Sequence, residues 1–189
     1  MDIFFLVVIV ILIVFLYIWY SKIISRRNSA RESLSGIDVQ FKKRSNLIPN
    51  ILTISKRFMQ HENELLNSVT KLRTRTDVNY DKLDSNAVRD HLQAATALGS
   101  EMSRLMIAVE AYPDLKSDET MLQAQRTYNE VEEQIAAARR FYNASVTQLN
   151  NSVQIFPGNF IAGIAKVDAM PFYETDEASK ANVNAADYL

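Results

Sequence analysis

The sequence predicts an all-α protein: an antiparallel helical bundle of three long helices plus a short fourth, behind a single N-terminal transmembrane helix. Three observations predict it. Apolar residues recur at alternating spacings of three and four along most of the chain, the period of a packed helix face. An uncharged apolar run opens the chain. Only four glycines and four prolines interrupt 189 residues, so long helices are permitted, and the alternating pattern of a strand is absent.

The opening run, Ile3 to Tyr20, reads IFFLVVIVILIVFLYIWY. As a helix it rises about 27 Å at ~1.5 Å per residue, close to a hydrocarbon core of ~30 Å. Tyr17, Trp19 and Tyr20 gather at one end, where aromatic rings favour the membrane interface. A cleaved signal peptide has a shorter apolar core, a basic start and a small-residue cleavage site. Here Asp2 precedes the run and SKIIS follows it. Residues 1–21 therefore read as an uncleaved anchor that contacts the lipid bilayer through residues 3–20. Lys22, Arg26, Arg27 and Arg31 follow the run, against only the terminal amine and Asp2 before it. The positive-inside rule then places the N-terminus outside and the helical domain in the cytoplasm.

Residues 22–167 carry the bundle. Its first stripe is Leu34, Ile37, Phe41, Arg44, Ile48, Ile51, Ser55, Phe58, Glu62, Leu65, Val69 and Leu72, apolar except at Arg44, Ser55 and Glu62. The second is Val88, Leu92, Ala95, Gly99, Met102, Met106 and Val109. The third runs from Met121 through Tyr128, Ile135, Tyr142 and Leu149 to Phe156, with bulky side chains every seven residues and smaller ones between. That alternation suits interleaved layers between antiparallel helices. A polar stretch from Thr74 to Ser85 separates the first two helices. Pro113 closes the second, and Ser117 is positioned to cap the third. FPGN ends the third, and Asn159 is positioned to cap the short fourth. Residues 168–189 form an acidic tail, low in large apolar residues, expected to be extended or mobile.

Pro49 falls within the first stripe. It lacks the N–H that would bond the Ser45 carbonyl, and its ring crowds that turn. The stripe keeps phase from Phe41 through Ile48 to Phe58, which predicts a kinked continuous helix rather than two helices. Asn46 or Asn50 then become candidates to bond the freed backbone groups.

Composition narrows the function. A net charge of −1 supplies no basic field for nucleic acid. The absence of cysteine excludes disulfides, thiolate catalysis, zinc–thiolate sites and a lipid-bearing N-terminal cysteine. HENE, beginning at His61, starts like a zinc-protease helix, but Leu65 stands where the second histidine belongs. Neither His61 nor His91 is preceded three residues earlier by glutamate, as a carboxylate di-metal bundle requires. The four glycines form no phosphate-binding loop, and no serine sits in a nucleophile elbow. No cofactor, metal or catalytic residue is expected.

Four segments, IDVQFKKRSNLIPNIL, VEAYPDLKS, AAARRFYNASVTQLNN and FPGNFIA, occur in the order in which similar segments occur in the LemA family of bacterial membrane-associated proteins. The resemblance covers Arg27 to about Tyr173. It implies a helical bundle behind an N-terminal membrane segment in the bacterial cell (inner) membrane. It implies no reaction, because the family has no established enzymatic role. Genes of the family are often found near genes for membrane metalloproteases, which makes an accessory or adaptor subunit of a membrane protease the alternative role. The chain departs from the family pattern at Lys43, where a second arginine is usual, and at KRFMQ.

The remaining candidates are polar. Arg139, Arg140, Tyr142 and Asn143 form a cluster on the third helix, either a site for an anionic group or peptide carboxylate or a hydrogen-bond network inside the bundle. Arg44 and Glu62 occupy stripe positions of one helix. Either each is buried against another helix, with Glu101 or Glu110 as partner for Arg44, or the stripe drifts and turns both to solvent. Tyr112 and Asp114 lie in AYPDLK, a turn suited to docking a partner or to packing a helix corner. The chain thus reads as a non-enzymatic, membrane-anchored interaction or scaffold protein, whose partners are other membrane proteins or copies of itself.

Overall fold

The computed structural model describes residues 2–174, and among them it contains helices and connecting turns and no strand. The helices are α1 (Asp2–Phe58), α2 (Asn63–Thr76), α3 (Ser85–Val109), α4 (Pro113–Lys116), α5 (Glu119–Gln154) and α6 (Gly158–Ala165). Helix α1 is unbroken for 57 residues, about 85 Å at ~1.5 Å per residue. It contains both the apolar run and the first bundle helix, with no linker between them. Residues Ile3 to Ile18 are exposed in the isolated chain, whereas Ile23 is already fully buried in the bundle core.

Helices α1 and α5 form the long antiparallel pair. Arg26 meets Gln148, Ser33 Oγ lies 2.8 Å from Ser145 Oγ, and Arg44 reaches Glu132, so positions fall along α1 as they rise along α5. The C-terminal end of α5 therefore returns to the end of the bundle from which the apolar run projects. Helix α6 packs there, against α1 and α5. Helix α3 packs on α2, and its buried face, Val88, Leu92, Ala95, Leu98, Met102, Leu105 and Val109, contains most of the second stripe.

The core falls into two clusters. One, near the apolar run, includes Ile23, Leu34, Phe41, Leu92, Ile135, Tyr142, Leu149 and Ile161. The other, at the far end, includes Ile48, Ile51, Met59, Leu66, Met102, Leu115, Met121 and Tyr128.

Pro49 lies inside α1, which continues through it as the phase of the stripe predicted. The Ser45 carbonyl left without its helical partner accepts instead from Arg73 Nε of α2 at 2.9 Å. That is a contact between helices and not the local one expected of Asn46 or Asn50. Around it, Asp77 accepts from Lys42 Nζ at 2.9 Å and from Ser45 Oγ at 3.1 Å. The acceptor released by the proline is thus part of what fastens α2 to α1.

Three expected boundaries are corrected. The first stripe is not one helix to Leu72: α1 ends at Phe58, and α2 begins at Asn63 after a turn that buries Met59. From α2 the stripe's Val69 is buried, but its Leu65 and Leu72 are only half-buried and Leu66, one position past Leu65, takes the core place, across a reversal that no proline or glycine marks. Asp118, not Ser117, caps α5, its carboxylate accepting from the Met121 N–H at 2.9 Å. Pro157 occupies the N-cap of α6, and Asn159 lies inside the helix, its side-chain Oδ1 accepting from the adjacent Phe160 N–H.

Gly158 is required where α6 turns onto α5. A Cβ there would overlap the Ser152 carbonyl and lie 3.4 Å from Trp19 Cζ3. Gly158→Ala is expected to cost about 1–3 kcal/mol of overpacking strain. Because Trp19 is the chain's one tryptophan, a shifted emission maximum will report the displaced corner. An unchanged emission maximum and melting temperature would contradict the contact.

Candidate functional site

Arg44 projects from the buried face of α1 between the two apolar clusters, with Phe41 one turn before it and Ile48 one turn after. It is 1% exposed. Its Nη2 donates to the Ala95 carbonyl of α3 at 2.7 Å, and its Nη1 reaches Glu132 Oε1 of α5 at 3.3 Å. The guanidinium lies over the Phe41 ring, 5.2 Å from its centroid. One side chain therefore links three helices. The partner is Glu132 rather than Glu101 or Glu110, because the α1–α5 register brings that residue opposite. Gly99 makes room for it: a Cβ there would stand 3.2 Å from Nη1. Glu62, by contrast, is not on the helix that carries Arg44. It occupies the N-cap of α2 without a side-chain capping bond.

The cluster on α5 splits. Arg140 is exposed. Arg139, Tyr142 and Asn143 turn toward the chain that follows α6. Asn143 Nδ2 donates to the Tyr173 carbonyl at 3.0 Å, and its Oδ1 accepts from the Tyr173 N–H at 2.9 Å. Asn150, two turns further on, does the same with Met170, at 3.0 and 2.9 Å. Tyr142 Oη donates to the Pro171 carbonyl at 2.7 Å, and the Arg139 guanidinium lies 5.6 Å from the Tyr173 ring centroid. The cluster binds a peptide, and the peptide is the chain's own residues 170–173. Each asparagine amide mimics the paired donor and acceptor of a neighbouring strand residue. Residues 168–174, the start of the expected tail, form no helix or strand, and 170–173 are held against α5, with Met170 and Tyr173 buried. The rest of that tail lies outside the described residues. Asn150 escaped sequence reading, although its spacing of seven from Asn143 places both on one face.

A second polar centre was also missed. Asp38 accepts from Tyr80 Oη at 3.0 Å and pairs with Lys82 Nζ at 2.5 Å, while His91 Nε2 stands 3.4 Å away. Tyr80 stacks on His91 at 4.0 Å between centroids. These contacts tie the loop before α3 to α1. Burial alone would raise the Asp38 carboxyl; His91, then Lys82 and Tyr80, outweigh it and hold the group below its ordinary 3.8. Burial pushes the Tyr80 hydroxyl up, with the Asp38 charge adding to it.

A folded-state value below the unfolded one means that the carboxylate stabilises the fold above pH 3.8 and that this contribution is lost as pH falls through the lowered value. Asp38→Asn is therefore expected to weaken the fold at neutral pH and to converge with the parent in acid. Urea midpoints measured across that range test it. A deficit that stays constant with pH would exclude the charge as its cause.

Tyr112 is the N-cap of α4 and packs half-buried on the far core cluster, while Leu115 is fully buried and Asp114 is exposed. The AYPDLK turn therefore fixes a helix corner. Among the described residues, no group of three histidine, cysteine or acidic side chains is placed to hold a metal.

The sequence pattern of the LemA family matches residues 33–186. The chain belongs to the LemA family. Relatives include magnetosome proteins MamQ 1 and MamQ 2 of Paramagnetospirillum magneticum and MamQ of Magnetospirillum gryphiswaldense, each 22% identical over 179 residues. Those matches cover 84% of this chain and 66% of each relative, just under two thirds of the relatives' length. Arg44, Arg139, Tyr142, Asn143 and Asn150 all lie inside the LemA match, and the apolar run lies before it. With its apolar N-terminal helix, the chain is a membrane-associated protein of LemA type.

Proposed function

We propose that this LemA-family protein is a membrane-anchored, non-enzymatic scaffold that presents a rigid helical surface to other membrane proteins. The observation that carries the reading is the unbroken course of α1. The same helix is the apolar run and the spine of the bundle, and Ile23 enters the core just beyond Tyr20. With residues 3–20 across the bilayer, the bundle keeps a set height and angle above it. The basic residues Lys22, Arg26, Arg27 and Arg31 favour the cytoplasmic side. The buried Arg44 and Asn150 and the half-buried Asp38 and Asn143 support a structural role, since each fastens one element to another. Exposed apolar side chains such as Ile107 and Phe141, at 73% and 72% exposure, are available for contact on the bundle itself.

The test is crosslinking in intact membranes, with photoreactive residues at positions 107 and 141, in the full chain and in a form lacking residues 1–21. A specific membrane-protein partner seen with the full chain is expected, and a membrane protease among the partners would specify the adaptor role. Recovery of no membrane protein from either position would overturn the reading.

A further inference from the structure

We propose that the α5–α6 corner and helix α6 form a second membrane contact, lying in the interface of the bilayer that α1 crosses. The inference rests on the reading of residues 3–20 as the span. Ile155, Phe156, Phe160 and Ile164 are 59%, 80%, 67% and 68% exposed. Phe160 and Ile164 are four apart on α6, which puts them on one face, and Ile155 and Phe156 are exposed in the turn that leads into the helix. The opposite face, Gly158, Ile161 and Ala162, is buried in the bundle. The helix is therefore apolar on both sides, and the bundle covers only one of them.

Position identifies the cover. The antiparallel pairing returns α5 to the end of the bundle where the apolar run emerges, and Gly158 abuts Trp19. Trp19 belongs to the aromatic group that closes that run, at the depth of the lipid head groups. The exposed face of α6 is thus continuous with the lipid-facing surface of α1. Charge agrees with this placement. No acidic residue occurs between Asp2 and Glu32 or between Glu133 and Asp168, and Lys22, Arg26, Arg27 and Lys166 flank the junction. A short apolar face rimmed by cations is the composition of a helix that lies in an anionic interface.

The chain contains no cysteine, so single nitroxide labels can be placed by Phe160→Cys, Ile164→Cys, Phe141→Cys and Ile11→Cys. All four positions are exposed, so labelling leaves the core unaltered. The full-length protein is reconstituted in vesicles of phosphatidylcholine and phosphatidylglycerol, and collisions of each label with oxygen and with a water-soluble nickel chelate are compared. Labels at 160 and 164 are expected to show an oxygen-to-nickel ratio several-fold above that at 141, and below that at 11. If 11 is lipid-like and both 160 and 164 match 141, the second contact is wrong while the span stands. If 11 itself is water-like, the span is wrong and the inference falls with it. Dipolar broadening at 160 with little access to either reagent would assign the face to a second copy of the chain and overturn the proposal.

Discussion

Removing the carboxylate of Glu132 is expected to cost more than removing the charge of Arg44. Glu132→Ala leaves a guanidinium that is 1% exposed with the Ala95 carbonyl as its remaining bonded partner. Arginine cannot shed its proton to escape that situation. Breaking a buried ion pair from one side costs ~3–5 kcal/mol. The outer face of Glu132 is 34% exposed, and water already screens part of the attraction, so the expected loss is about 3 kcal/mol, the low end of that range. Arg44→Met works from the other side. The methionine refills apolar space between Phe41 and Ile48, and Glu132 can turn its charge toward water. Its expected loss is about 1–2 kcal/mol, that of an imperfect refill of a buried site. The double variant should then be close to Arg44→Met alone, because no buried charge remains to be orphaned. Urea unfolding of the full chain in mild detergent, followed by circular dichroism, measures all three. A loss in Glu132→Ala no larger than that in Arg44→Met would show that the guanidinium left without its carboxylate carries no buried-charge penalty.

The all-α fold was legible because its main signals are periodic. Most of the second and third stripes fall on the buried faces of α3 and α5, although Leu98 and Leu105 take core places beside the half-buried Gly99 and Met106, and Phe156, the last residue of the third stripe, lies beyond α5 and is exposed. The first stripe misled at its far end for the same reason. Leu65 and Leu66 are adjacent leucines, so either could carry the apolar face into Val69, and an apolar pattern alone does not encode the reversal after Phe58 that buries Leu66. Pro49 shows the complementary limit. Phase established that α1 continues, but the group that caps Ser45 comes from a helix 28 positions away, and separations of that kind have no period to read.

The polar sites were legible as residue types and not as pairings. Arg44 stood out because a charge on an apolar stripe requires a partner, yet its partner depended on the α1–α5 register. Asp38, Lys82 and His91 are ordinary surface residues in sequence. Only the path of the loop before α3 brings them together. The exposed apolar residues of α6 posed the reverse problem, since a short apolar helix reads as core until its neighbours are known.

Asn150→Leu is expected to release the C-terminal strap while leaving the helices in place. The amide of Asn150 satisfies both the N–H and the carbonyl of Met170, and all of these atoms are buried. Leucine fills a similar volume but offers neither donor nor acceptor. Leaving a buried backbone group unpaired costs ~1–3 kcal/mol each, so about 2–6 kcal/mol is at stake for the pair. That penalty need not unfold the bundle. The strap can instead leave, carrying Val167, Met170 and Tyr173 into water and returning their polar groups to solvent. Hydrogen exchange at the Met170 and Tyr173 amides should therefore accelerate together, because Asn143 grips the same short segment. Amides in the middle of α5 should keep their protection. Asn150→Asp separates the two halves of the grip: it retains the acceptor for the Met170 N–H and loses the donor to its carbonyl, and it adds a charge that resists burial. It should free the strap at neutral pH and partly restore it in acid, where the protonated carboxyl regains a donor. Unchanged exchange at Met170 in Asn150→Leu would mean that apolar burial of Tyr173 and Met170 holds the strap without the asparagine ladder. If the α5 amides lost protection as well, the strap would be part of the cooperative core rather than a segment fastened onto it.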